Sequence, residues 1–323
     1  MTGGIAVVFT VRNGRQTLLD ALDAVSRLDP GPSRIALHDD GSDDGTPESA
    51  AQACPGLKVV RLASCGGPSR GRNLALDSAC ERYVLLLDAD AAPEPAALRE
   101  LLAVAQRSGA AVVLPRVILS DGTLQHGPAH LSLAALPRFR GWWGRPAPVQ
   151  EGSGYSAGGG TAMLVDRRQL PAEVRFDESF GLWGSEADRF WRAAQERGVS
   201  LRPPRPELED ADFLYRVALA GAGVAFAPDA VVVHLNAGLT RQRSGQSRYP
   251  AGKMALQSRN RRLLALKSFS MTTLILSAPF QLFVEVATAA LALREGLFWA
   301  YRSGWAATSA ALPAVWRQRR LVQ

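Results

Sequence analysis

Short apolar runs alternate along the first 120 positions with stretches in which apolar residues recur every three or four places. The runs 5–10, 34–37, 57–62, 83–87 and 110–117 read as strands, 83–87 as one buried on both faces. Between them, 17–28 carries Leu18, Ala21, Leu22 and Val25 on one helical face and ends at Pro30-Gly31-Pro32. A second helix is expected after Thr46 as N-cap with Pro47 at its first position, a third over 69–79 and a fourth over 93–108. Strands alternating with helices at this spacing predict an α/β fold, a mostly parallel sheet covered by helices. In such sheets ligands bind at the carboxyl ends of the strands. Asp39, Asp40, Asp88 and Asp90 fall at those ends.

The chemistry concentrates there. Tyr83-Val84-Leu85-Leu86-Leu87 stops abruptly at Asp88-Ala89-Asp90. Residues i and i+2 of an extended chain point the same way, so the two carboxylates can converge on one hard cation, Mn or Mg, while Ala89 leaves room for a ligand. The plainer reading is a capped strand end beside a solvated turn. Gly66-Gly67-Pro68-Ser69-Arg70-Gly71-Arg72-Asn73 has glycines at the P-loop interval but lacks the Lys-Ser/Thr pair which that mechanism needs. No Gly-x-Gly-x-x-Gly follows the first strand, which argues against a dinucleotide fold. What this stretch offers is a loop, two arginines and a helix N-terminus suited to a diphosphate. Two acidic helix starts come later: Gly184-Ser185-Glu186-Ala187-Asp188, ending at Arg192, and Glu209-Asp210-Ala211-Asp212, ending at Arg216.

Composition narrows the class. The 323-residue chain is 47% hydrophobic, enough for a large core. Cys54, Cys65 and Cys80 have no metal-ligand spacing and make an odd count, which suits a reducing compartment. No secretory signal is expected at the start, so a cytoplasmic location is. Residues 241–323 hold 13 Lys and Arg against Glu285 and Glu295, a net +11, leaving −4 of the chain's +7 for the first 240. Nucleic acid is therefore a poor partner for the carboxylate-rich part. An anionic membrane surface suits the tail better.

Taken in order, these pieces resemble the inverting glycosyltransferases of family 2, with a GT-A fold, bacterial rhamnosyltransferases among them. The likeness covers most of 4–235. Asp39-Asp40-Gly41-Ser42-Asp43-Asp44-Gly45-Thr46 is similar to the turn holding nucleobase and ribose, and Gly67 to Leu76 to the loop and helix that place Arg72 and Asn73 near base or diphosphate. Asp88-Ala89-Asp90 matches the motif binding metal and sugar nucleotide, with His234 as a third metal ligand. Ser156 to Leu164 resembles the glycine-rich strand under the donor sugar, bringing in Gly159 and Gly160. Thr10 and Arg12, at the end of the first strand, complete the donor side. The resemblance implies a nucleoside-diphosphate-sugar donor, a divalent metal and a carboxylate base for the acceptor hydroxyl. Asp210 is the expected base, Glu209 its support and Glu186 the rival. A sugar-nucleotide pyrophosphorylase shares the fold, but its glycine-rich loop would stand where this chain has Val11-Arg12-Asn13-Gly14. A non-catalytic sugar-nucleotide-binding protein is the other competitor.

The catalytic domain is expected over 1–240 and a basic helical tail over 241–323. Trp142 and Trp143 could stack on a glycan or lipid-linked acceptor or seal the sheet edge; a natural-product acceptor is the alternative. Residues 202–206 read as an inserted loop and 241–249 as a loop ordering over the donor. In the tail, 271–293 is long and apolar enough to raise a membrane span, but Pro279, Gln281 and Glu285 argue against one. Leu274, Leu282, Val286 and Leu293 are expected on one face of a helix lying in the membrane interface, making the protein peripheral. Packing of these helices on the catalytic domain or on a second subunit, as in a homodimer, with their arginines solvated, is the alternative.

Overall fold

A computed structural model describes residues 4–62, 65–139, 151–181, 185–199, 208–235 and 251–322. Ten strands form one twisted sheet. Its parallel centre is β4 (Tyr83–Asp88), β1 (Ile5–Val11), β2 (Arg34–Asp39) and β3 (Lys58–Arg61). On the other side of β4 lies antiparallel β11 (Ala162–Asp166), then β6 (Val112–Leu119) and, parallel to β6, β12 (Val224–His234). The short strands β5 (Ala91–Pro93), β7 (Leu124–His126) and β10 (Gly152–Ser153) pair with β12, β6 and β12. A separate hairpin joins β8 (Ala129–Leu131) to β9 (Pro137–Phe139).

The strand period of two divides the core. Val7, Phe9, Leu85 and Leu87 pack on one face under α1 (Arg15–Ser26) and α4 (Ala97–Ser108). Ala6, Val8, Val84 and Leu86 pack on the other, under α3 (Gly67–Ser78) and α6 (Glu209–Leu219). Both faces are dry, which is why these strands read as unbroken apolar runs. Phe176 stacks on Phe213 at 3.9 Å and seats α6 on that second face.

Some boundaries differ from the sequence expectation, for local reasons. Gly45, left-handed at φ 79°, takes the N-cap position before α2 (Thr46–Ala53); Thr46 is already helical, and its Oγ1 accepts from Gly14 N–H at 3.1 Å. The helix expected from 93 begins at Ala97 because Ala91–Pro93 pair with β12. The glycines at 158–160 precede β11 rather than lie within it.

The tail forms α7 (Ala251–Ser268), α8 (Met271–Arg294) and α9 (Phe298–Val322). α7 is almost wholly buried, wedged between the α/β body and α9. A Cβ on Gly304 of α9 would lie 2.6 Å from the Ala255 carbonyl, so glycine lets the two helices meet. Arg259, Arg261 and Arg262 lie buried in its middle. Phe190 of α5 (Ser185–Gln195) stacks on Trp299 in the same cluster.

Candidate active site

The loops after β1, β2 and β4, the start of α3 and the start of α6 converge at the carboxyl edge of the parallel strands. β1 and β2 end in loops laced together: Asn13 N–H donates to Ser42 Oγ at 2.9 Å, and Asp43 N–H to Asn13 Oδ1 at 3.0 Å. Buried Asp39 closes its own turn by accepting Ser42 N–H on both oxygens, each at 3.2 Å. Asp40 accepts the N–H groups of Gly66 and Gly67 at 2.7 and 2.9 Å and the Cys65 thiol at 3.1 Å, fixing the loop into α3. Burial pushes that thiol up, and the Asp40 charge adds to it. Arg12 donates to the Cys65 sulfur at 2.9 Å. Thr10 lies beside Asp88 in register and packs beneath Gly71. His38 is buried and its Nδ1 meets the Gly71 carbonyl at 3.0 Å; burial lowers its pKa.

Arg72 is the hub. Its guanidinium, 3% exposed, donates through Nη1 to Glu209 at 3.1 Å and through Nη2 to Asp88 and to the Gly160 carbonyl, each at 3.0 Å. Burial opposes its charge, and the carboxylates of Asp88, Glu209 and Asp210 more than offset that, keeping it protonated. Arg72 thus stands among the acids of the site and spaces Asp88 from Glu209. Asn73 clamps the chain at 176–178: its amide pairs with the Phe176 backbone at 2.8 and 2.9 Å and donates to Glu178 at 3.0 Å.

Gly160 has no room for a side chain. A Cβ there would lie 3.0 Å from Arg72 Nη2 and 3.2 Å from Asp210 Oδ2, so glycine lets α6 bring its first turn to β4. Ala89 sits behind Asp88 against Gly14. Gly67 takes φ 77° at the start of α3, and Gly159 is half-buried beside Gly160.

The acidic turn of α6 divides its labour. Glu209 is held by Arg72, and Asp210 lies against Gly160 at the cleft. Asp212, fully buried, pairs with Arg216 at 2.7 Å and with Lys267 of α7 at 2.6 Å. Lys267 also reaches Asp177 at 2.7 Å and holds that carboxyl down to about 2 against the upward push of burial. Glu186 begins α5, whose Phe190 packs on the tail; the Glu186 side chain lies outside the described residues, as do Trp142, Trp143 and the segments 202–206 and 241–249.

At the other edge His234 Nε2 stands 3.2 Å from Asp90 Oδ1, and its Nδ1 meets Gln125 Oε1 at 2.7 Å. If Nδ1 donates to Gln125, Nε2 keeps a lone pair beside the Asp90 oxygen, and the two atoms could serve as neighbouring ligands of one cation. Among the described residues no three His, Cys, Asp or Glu side chains are grouped as a ready cation site. The Asp90–His234 pair nevertheless fits a hard divalent ion that takes its other oxygens from a diphosphate. Burial pushes Asp88 up from its ordinary value and the Asp90 charge adds to it, while Arg72 pulls it down.

Sequence reasoning missed Gln125 and Lys267. The one signal for Lys267 was a lone lysine in the apolar run Leu263-Leu264-Ala265-Leu266-Lys267; Gln125 gave none.

A mixed sheet of this order with an acidic carboxyl edge is a GT-A fold, the Rossmann-like fold of nucleotide-diphospho-sugar transferases. Residues 6–163, just under half of the chain, match the model of glycosyl transferase family 2. The succinoglycan biosynthesis protein ExoO of Rhizobium meliloti (strain 1021) is 26% identical over 182 residues, covering 54% of this chain and 51% of that protein. The chain thus spans about half the length of this curated relative. Among solved structures, GalNAc-T7 with UDP, GalNAc and Mn2+ is similar at TM-score 0.57 and 15% identity over 84% of this chain and 49% of that one. The mannosyltransferase PcManGT from Pyrobaculum calidifontis, in complex with GDP-Man and Mn2+, is similar at TM-score 0.55 and 15% identity, over 97% and 76%. At that identity the two structures speak for the fold.

Proposed function

We propose that this chain transfers a sugar, with inversion, from a nucleoside diphosphate to a hydroxyl of a lipid-linked or otherwise growing cell-envelope glycan at the cytoplasmic side. The observation that carries the reading is the fork of Arg72, which holds Asp88 and Glu209 in place while Gly160 admits Asp210 to the same cleft. Asp210 is the base that takes the acceptor proton. It stands at a helix N-terminus, where the dipole favours the carboxylate, and Glu209 beside it is committed to Arg72. Asp90 and His234 are the residues that would hold the divalent metal, Mn or Mg. When bound, that ion supplies neutralising charge to the departing diphosphate. A relative named for succinoglycan biosynthesis supports a glycan acceptor.

A thermal-shift panel of nucleoside diphosphates and their sugar conjugates, deoxythymidine-diphosphate rhamnose included, tests the donor site. Stabilisation of the wild type that needs Mn or Mg and is lost in Asp90→Ala is expected. No shift with any nucleotide in either metal would contradict the reading.

A further inference from the structure

Helix α8 is built inside out. Its inward face carries the polar groups: Glu285 accepts from Arg261, from Arg262 at 3.0 Å and from the Tyr301 hydroxyl at 2.7 Å, while Gln281 accepts from Arg261 and donates to the Leu133 carbonyl at 2.7 Å. Its outward face is apolar from Ile275 to Leu293. Ile275, Leu276, Phe280, Phe283, Val286 and Leu293 are 54 to 73% exposed. A helix in water turns its polar side out, and a single-sided apolar stripe this long marks an interaction surface.

We infer that this face lies in the plane of an anionic lipid bilayer. By length and composition α8 could cross a membrane, its most apolar 18-residue stretch having mean hydropathy 1.7. Crossing would strip Glu285 and Gln281 from their partners and leave the buried arginines of α7 unpaired, whereas lying flat keeps every one of these bonds. Charge selects lipid over a second copy of the chain. The two acids of the tail are neutralised, Glu285 inward and Glu295 by Arg294, while Arg302 and Arg317 on α9 are exposed. Two copies would bring such arginines together, and anionic headgroups would meet them with opposite charge. Trp305 and Trp316 of α9, 44 and 46% exposed, are side chains suited to headgroup depth. The inference does not rest on the transferase reading, because donor binding is scored separately.

The test is cosedimentation of the full chain with phosphatidylethanolamine–phosphatidylglycerol vesicles at low salt. The wild type should bind. Leu276→Glu with Phe283→Glu should weaken binding more than tenfold while leaving the melting temperature unchanged, since neither side chain is buried. Arg302→Glu with Arg317→Glu should weaken it on anionic vesicles alone. Nitroxides at Ile275→Cys, Val286→Cys and Leu293→Cys should report one shallow depth. Failure of the wild type to bind, binding indifferent to the glutamates, a dimer that the glutamates split, or a maximum depth at 286 would each overturn the inference.

Discussion

Arg72 answers to two carboxylates and a carbonyl at once, and only a planar fork can do so. A lysine is a point charge that can serve Asp88 or Glu209 but not hold both at their spacing. Arg72→Lys should therefore reduce kcat by about 100-fold or more, the scale on which a misplaced catalytic group is felt. Arg72→Ala should in addition lower stability by about 3–5 kcal/mol, the usual cost of stranding a buried charge. Steady-state kinetics beside a denaturant melt checks both; a wild-type kcat in Arg72→Lys would mean that the fork does not set the geometry. At this scale the sequence was legible where chemistry is local. Asp88 closes the apolar run that marks β4, whereas Asp90 lies in the turn that follows, so the strand alternation that pointed both carboxylates one way stops short of the second. The partners of Arg72 lie 16 and 137 positions away, so no spacing could disclose that it bridges two carboxylates.

Among the elements, the strands buried on both faces were the most legible, since each announces itself as an apolar run ending at a turn. The inward polarity of α8 was not. Leu274 was expected beside Leu282, Val286 and Leu293, yet it is half-buried against the protein with Phe269 and Val315, while the other three face out. Periodicity finds an apolar stripe but cannot say which side the protein takes. The junction of α6 and α7 was hidden too, since it consists of Lys267 set between Asp212 and Asp177. The Asp177 carboxyl is depressed from 3.8 to about 2 by this lysine. A depressed carboxylate contributes stability that is fully present above its unfolded value and disappears as pH falls through the folded one. The contribution is on the order of 2 kcal/mol. The stability difference between wild type and Asp177→Asn should thus hold above pH 5, shrink through the window from about 4 to about 2 and close below it. Urea titrations across that range measure it. A difference that does not change with pH would show that the Asp177–Lys267 pair does not hold α7 to the turn at 177–180.

For the whole molecule, the sequence divides at residue 240, whereas packing ties the two parts together. Arg259 reaches the Ser179 carbonyl at 2.6 Å, Asn260 the Phe180 carbonyl at 2.6 Å, and Leu263, Leu264 and Phe269 share a cluster with Phe180. A chain cut after residue 240 would bare Asp212 and Asp177 without their lysine and this apolar cluster without its cover. It should be recovered as aggregate, or melt at least about 10 °C lower, as losses of several kcal/mol imply for a body of this size. A soluble fragment with the full-length melting temperature would show that the parts are independent. The charge imbalance between the halves was plain in the sequence, but its meaning was not. Arg259, Arg261, Arg262 and Lys267 of that basic tail are internal partners, leaving a smaller outer set for any surface. The central claim is that Asp210, admitted by Gly160 and flanked by the Arg72–Glu209 pair, deprotonates the acceptor. Single-turnover transfer by Asp210→Asn, with donor affinity measured on the same sample, tests it most directly. The account predicts unchanged donor and metal binding with transfer slowed about 100-fold or more; transfer at the wild-type rate would contradict it.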